Sequence, residues 1–88
     1  MSDANLKISN QRGLHARAAA KLVKLINQFD AKVLVSKSAH EVSGDSILGL
    51  MMLAAAKGDV ISVCTSGNDE AEVLQAIVNL VNSKFEED

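Results

Sequence analysis

Residues 6–28 read Leu6-Lys7-Ile8-Ser9-Asn10-Gln11-Arg12-Gly13-Leu14-His15-Ala16-Arg17-Ala18-Ala19-Ala20-Lys21-Leu22-Val23-Lys24-Leu25-Ile26-Asn27-Gln28. Within this stretch the hydrophobic period changes once. Leu6 and Ile8 alternate with Lys7 and Ser9, the signature of a short half-buried strand. Asn10 to Gly13 has the composition of a turn. From Ala16 to about Gln28, Ala19, Leu22, Val23 and Ile26 recur on one face of a helix while Lys21 and Lys24 lie elsewhere, and the alanines add helix propensity. A strand feeds a helix through a glycine-containing loop.

The same change recurs further along the chain. Lys32 to Lys37 reads as a second strand with Val33 and Val35 on one face, and Glu41 and Val42 as a third, reached through a tight turn at Ser38 to His40. Ser46 to Ala56 reads as a short helix with Ile47, Leu50, Met51 and Ala54 on one side, Lys57 in its last turn and Gly58 as its stop. Val60 to Thr65 is a fourth strand, and Ser66-Gly67-Asn68 a turn. Asp69 begins the final helix, with Glu72 completing an acidic variant of the capping box and Leu74, Ile77, Val78, Val81 and Phe85 forming an apolar stripe. One-faced strands alternating with amphipathic helices predict a two-layer α+β sandwich, helices on one sheet face and water on the other.

Size and composition narrow the function. Eighty-eight residues bound the chain to one domain, 1–88, with a modest core, so chemistry has to sit near the surface. The core must be aliphatic, because Phe29 and Phe85 are the only aromatics. A formal net charge of −2 argues against a nucleic-acid binder, which needs a basic surface, and the lack of Tyr and Trp removes the best stacking platforms. The single cysteine, Cys64, leaves no intrachain disulfide and fits a reducing compartment. Met1-Ser2-Asp3-Ala4-Asn5 does not open a secretory signal, and no apolar run is long enough to span a bilayer. The expectation is a soluble, cytoplasmic domain acting as a monomer.

The chemistry concentrates at Gly13-Leu14-His15-Ala16-Arg17-Ala18-Ala19-Ala20, where a loop enters the first helix. The first amides of a helix lack internal partners, and the aligned peptide dipoles make that end effectively positive, so it favours an anion such as phosphate. Gly13 lets the chain turn sharply. The neutral imidazole of His15 is nucleophilic near physiological pH, and the P–N bond it forms is labile. Arg17 offers planar donors to phosphate oxygens. His40, in a turn with no second ligand nearby, has no comparable setting, and Cys64 reads as a sheet residue. No metal site and no cofactor are expected.

These residues identify a resemblance. Chain length, element order, Gly13-Leu14-His15-Ala16-Arg17 and Ser46-Ile47-Leu48-Gly49-Leu50-Met51 resemble the histidine-containing phosphocarrier family of the bacterial phosphotransferase system, which includes HPr and its nitrogen-branch relative NPr. The resemblance implies an open-faced sandwich with a four-stranded antiparallel sheet and three helices. It implies phosphorylation of His15 at Nδ1 by enzyme I, with phosphate derived from phosphoenolpyruvate, and donation to an enzyme IIA domain. The family usually has proline where this chain has Ala18. Proline at that position removes an amide that would be unpartnered anyway, so alanine should loosen the helix start slightly without abolishing transfer.

Ser46 stands before the second helix, where serine is a preferred cap. The resemblance also makes it a candidate phosphorylation site for an HPr kinase/phosphorylase. Ala20, Lys24, Ile47, Leu48 and Met51 form the expected docking patch for partner proteins; core packing is the other reading for the methionines. Two different classes compete with a carrier. A small acylphosphatase-like hydrolase needs a Gly-rich phosphate cradle and a catalytic Asn, and neither Asn10 nor Asn27 has that context. A non-catalytic interaction domain would never form acid-labile phosphohistidine.

Overall fold

Strand β4 (Val60–Ser66) shows how the sheet divides its faces: Ile61, Val63 and Thr65 are buried, whereas Val60 and Ser62 are exposed. It runs between β1 (Ser2–Lys7) and β2 (Lys32–Lys37), and β3 (His40–Ser43) completes the edge in the order β1-β4-β2-β3, every pair antiparallel. The register places Val63 opposite both Ala4 and Val35. In this computed structural model, which describes residues 1–87, helices α1 (Ala16–Ile26), α2 (Ile47–Met52) and α3 (Glu70–Asn82) accompany the sheet. The chain is thus the expected α+β sandwich.

The core lies between sheet and helices. Ala18, Ala19, Leu22 and Ile26 of α1 and Val73, Ile77 and Val81 of α3 join Leu6, Val33, Val35, Ile61 and Val63 of the sheet. The small alanines let α1 approach closely, and the β-branched residues suit the pleated surface. The other sheet face is more polar: the Ser62 hydroxyl donates to Asn5 Oδ1 across the β1–β4 pair (2.7 Å), and Cys64 is half-buried there.

Several boundaries differ from the sequence expectation, each because a distant partner outweighs the local pattern. Strand β1 begins at Ser2, whose hydroxyl donates to Glu70 (2.7 Å), and Ile8 lies just past it, fully buried and bonded to Asp59 and Gly58. Helix α1 ends at Ile26. Helix α2 stops at Met52, so Lys57 is not in its last turn and Gly58 is not its stop. The following carbonyls are taken elsewhere: Ala54 by the Lys37 ammonium (2.9 Å) and Ala55 by the Leu14 amide (2.9 Å). Of the expected buried side of α2, only Leu50 is buried; Ile47, Met51 and Ala54 are exposed. The capping box at Asp69 does not form, because the Asp69 carboxylate accepts from the Asp30 amide (2.7 Å). On α3 the stripe is led by Val73, with Leu74 and Val78 only half-buried.

Phe85 is fully buried yet is not part of α3. It sits in a short turn, Lys84–Glu86, in which three successive residues take left-handed φ angles of 59°, 54° and 62°. Such conformations cost roughly 1–2 kcal/mol per residue. Burial of the Phe85 ring and a bond from the Lys21 ammonium to the Phe85 carbonyl (2.7 Å) offset that cost. Phe85→Ala is expected to lower the unfolding free energy by about 3 kcal/mol in urea titrations; a change under about 1 kcal/mol would show that the ring does not anchor this turn.

Candidate functional site

Gly13 has a left-handed φ of +62°, and a Cβ there would lie 2.2 Å from the Ala55 carbonyl oxygen. Only glycine permits this approach without rearrangement. The next residue uses it, since the Leu14 amide donates to that same oxygen. The loop is thereby clamped to the segment after α2, and His15 becomes the N-cap of α1 with extended backbone angles (φ −76°, ψ 178°).

As the cap, His15 turns Nδ1 back onto the helix and accepts the Arg17 amide at 3.3 Å, a long and weak bond. The His15 carbonyl accepts from Ala19, while the Ala16 and Ala18 amides find no partner among the described residues. The helix thus starts with an exposed, unpartnered Ala16 amide and a weakly engaged Arg17 amide beside Nδ1, at the positive end of the helix dipole, while Ala18 is fully buried. Arg17 is exposed and borders an open cleft with Gln11, Arg12, Lys21, Glu86 and Glu87. Among the described residues its guanidinium pairs with no carboxylate. This constellation can receive the oxygens of a phosphoryl group carried on Nδ1.

The other ring nitrogen, Nε2, meets Oε2 of Glu87, which the turn after α3 brings back over His15. The second carboxylate oxygen accepts from Asn10 Nδ2 (3.0 Å), which also donates to the Gly13 carbonyl (2.8 Å). Asn10 is fully buried, and its own Oδ1 has no partner among the described residues. Burial pushes the Glu87 carboxyl up; hydrogen bonds from Asn10 and His15 and the charges of His15 and Lys21 outweigh it and hold the group below its ordinary value.

The Arg17 backbone amide reaches His15 Nδ1, while the Arg17 side chain lines the neighbouring cleft. Ser46 caps α2, its Oγ accepting from the Gly49 amide (3.0 Å). Of the expected docking residues, Ala20 and Lys24 are exposed on α1, and Ile47, Leu48 and Met51 on α2. Met52, the most exposed apolar residue of α2 at 74%, escaped the sequence reading, as did Glu87, and Asn10 was weighed there only as a hydrolase residue and set aside. An asparagine in a loop and an acidic run behind Phe85 carry no spacing that ties them to His15; only the left-handed turn does. Among the described residues no group of three or more His, Cys, Asp or Glu is placed to hold a metal ion.

A carboxyl whose folded pKa lies below its unfolded value contributes stability that is present above the unfolded value and lost as pH falls through the folded one. Glu87→Gln should therefore be less stable than the wild type at pH 7, with the gap narrowing once pH falls below about 4.3, where the unfolded carboxyl begins to protonate, and closing only when the folded carboxyl protonates as well. Thermal melts of both proteins at pH 7 and pH 3 check this; a gap that is constant with pH would contradict it.

Known proteins show the same organisation. The family model described as "PTS HPr component phosphorylation site" matches residues 3–83. "Phosphocarrier protein HPr" of Neisseria meningitidis is 48% identical over 87 residues, covering 99% of this chain and 98% of the relative. "Phosphocarrier protein NPr" of Escherichia coli K12 is 43% identical over 84 residues, 94% and 93% of the two chains. The solved structure of HPr-C-His from Thermoanaerobacter tengcongensis superposes with a TM-score of 0.95 at 38% identity, covering 100% of this chain and 99% of that one. With the model spanning nearly the whole chain and relatives this similar end to end, the protein belongs to the HPr family of phosphotransferase-system phosphocarriers.

Proposed function

We propose that Nδ1 of His15 accepts a phosphoryl group from enzyme I and passes it to an enzyme IIA domain. The observation that carries this reading is the weakly engaged Nδ1 at the start of α1, next to the exposed Ala16 amide and an Arg17 guanidinium that pairs with no carboxylate among the described residues. The Nδ1 lone pair attacks phosphorus, the P–N bond forms, and the donor atom leaves with its bonding pair. The Arg17 amide, released from Nδ1, turns to a phosphoryl oxygen together with the exposed Ala16 amide. Transfer of this kind is mostly positioning and charge stabilisation, so a small carrier leaves the remaining machinery to its partners. We place the carrier in the cytoplasm, in keeping with an unpaired cysteine; no helix among the described residues is long and apolar enough to cross a membrane.

Incubation with enzyme I and phosphoenolpyruvate, followed by intact mass and peptide mapping, tests the reading. One acid-labile phosphate should map to His15. His15→Ala should fold and take none, and Arg17→Ala should load at least roughly tenfold more slowly with stability changed by under about 0.5 kcal/mol. Phosphate on His40, or unaltered loading of both variants, would overturn it. Comparing enzyme I of the sugar branch with that of the nitrogen branch as donor separates the HPr-like from the NPr-like role.

Ser46 belongs to the same proposal as a regulatory site. It caps a six-residue helix whose exposed Ile47 and Leu48 follow directly, so a phosphate there is tolerated by the fold but places charge beside an apolar docking surface. Ser46→Asp should keep the wild-type thermal midpoint yet be loaded more slowly on His15 at matched ionic strength. Equal initial rates, with phosphoserine itself also without effect, would reduce Ser46 to a helix cap.

A further inference from the structure

The two ring nitrogens of His15 meet groups that each have one possible role. A peptide N–H only donates, so Nδ1, facing the Arg17 amide, carries a lone pair. An ionised carboxylate only accepts, so Nε2, facing Glu87, carries the proton. The hydrogen bond to one nitrogen of an imidazole decides the state of the other.

We infer that Glu87 is a positioning residue for phosphoryl transfer, its carboxylate holding the Nε2–H of His15 so that Nδ1 stands bare as the nucleophile and neutralising the charge the ring acquires when Nδ1 bonds to phosphorus. This rests on the reading of His15 as the acceptor. The electrons balance without a proton moving. The Nδ1 lone pair becomes the P–N bond and the donor atom departs with its own bonding pair. The ring, still protonated at Nε2, is left cationic against the Glu87 carboxylate. On donation the P–N pair returns to Nδ1, and Glu87 is unchanged throughout.

The surroundings are built to keep Glu87 there. The residues are 72 positions apart, joined only by the left-handed turn that the buried Phe85 and the Lys21–Phe85 bond hold in place. Asn10 grips the second oxygen of Glu87 and the Gly13 carbonyl with one amide nitrogen, an orientation that leaves its buried Oδ1 unsatisfied. The amide is thus turned toward two acceptors at the expense of its own oxygen, and its donation to Glu87 further fixes that group as an anion. The side chains of His15 and Glu87 are only 16% and 12% exposed, so solvent screens their interaction weakly. Among the described residues, the other charged groups bordering the open cleft are Arg12 in the loop, Arg17 and Lys21 on α1 and Glu86 in the turn, with the Lys21 ammonium bonded to the Phe85 carbonyl.

The test uses the full chain, labelled with 15N in histidine, as wild type, Glu87→Ala and Glu87→Gln. In the wild type at a pH where the ring is neutral, long-range 1H–15N spectra should show His15 protonated at Nε2 and bare at Nδ1, with a slowly exchanging Nε2–H. In Glu87→Ala that proton should exchange at least roughly tenfold faster. The kcat for loading by enzyme I and phosphoenolpyruvate should fall about tenfold, the low end of what orienting partners of metal-bound imidazoles contribute, while KM stays within about twofold. Glu87→Gln keeps an accepting oxygen without the charge, so it should retain the Nε2–H signal and load at a rate between the other two. Should Glu87→Ala lose its fold, the near-isosteric glutamine variant still reports the charge. Unchanged or faster kcat in both variants, or a raised KM with kcat intact, overturns the proposal: the first makes Glu87 a bystander or a cover, the second a docking residue. Failure of the wild type itself to take phosphate on His15 would instead overturn the acceptor reading, and is distinguished because the ring spectra and the wild-type control are read separately.

Discussion

The approach of Gly13 to the Ala55 carbonyl is the constraint on which the site depends. A left-handed φ and a gap too small for a Cβ bring the loop against the segment after α2, where the Leu14 amide closes a 2.9 Å bond. That bond sets where the chain enters α1, and entry at His15 makes an imidazole, in place of the usual hydroxyl or carboxylate, the cap of the helix. An imidazole is a poor cap, as the 3.3 Å bond to Arg17 shows. In the proposed role of His15 the weakness is useful: a tight cap would withhold the lone pair from phosphorus, and no cap would leave the ring free to turn away.

The same clamp explains why α2 is short. Carbonyls that would continue the helix are committed to Leu14 and Lys37, so α2 ends at Met52 and exposes more apolar surface than its length suggests. Ser46 begins that helix and the clamp follows its end, roughly 9 Å along the axis at the rise of an α-helix. A phosphate on Ser46, as proposed, would thus act on docking at His15 through one small surface, with no change of fold.

How much was legible in the sequence follows from what fixes each feature. The alternation in β2 and β4 and the apolar periodicity of α1 and α3 are one-dimensional patterns, and the two-layer sandwich follows from them. The His15 segment was legible because its neighbours in the chain, Gly13 and Arg17, are also its neighbours in space. Features set by distant contacts were hidden: the polar start of β1, fixed by its ladder with β4; the early stop of α2, fixed by Leu14 and Lys37; the unformed capping box, where Asp69 serves the Asp30 amide. Glu87 was hidden most completely, since only three left-handed residues that are not glycine carry it back to His15. Ala18 sits fully buried in the first turn of α1, and its amide has no partner among the described residues.

Phosphate on Nδ1 of His15, at the helix start, with Nε2 turned to Glu87, is tested most directly by the one-bond 31P–15N coupling in histidine-labelled protein loaded by enzyme I and phosphoenolpyruvate. A single coupling to Nδ1 of His15, with Nε2 still protonated, is the predicted result. Coupling to Nε2, or to either nitrogen of His40, would contradict it.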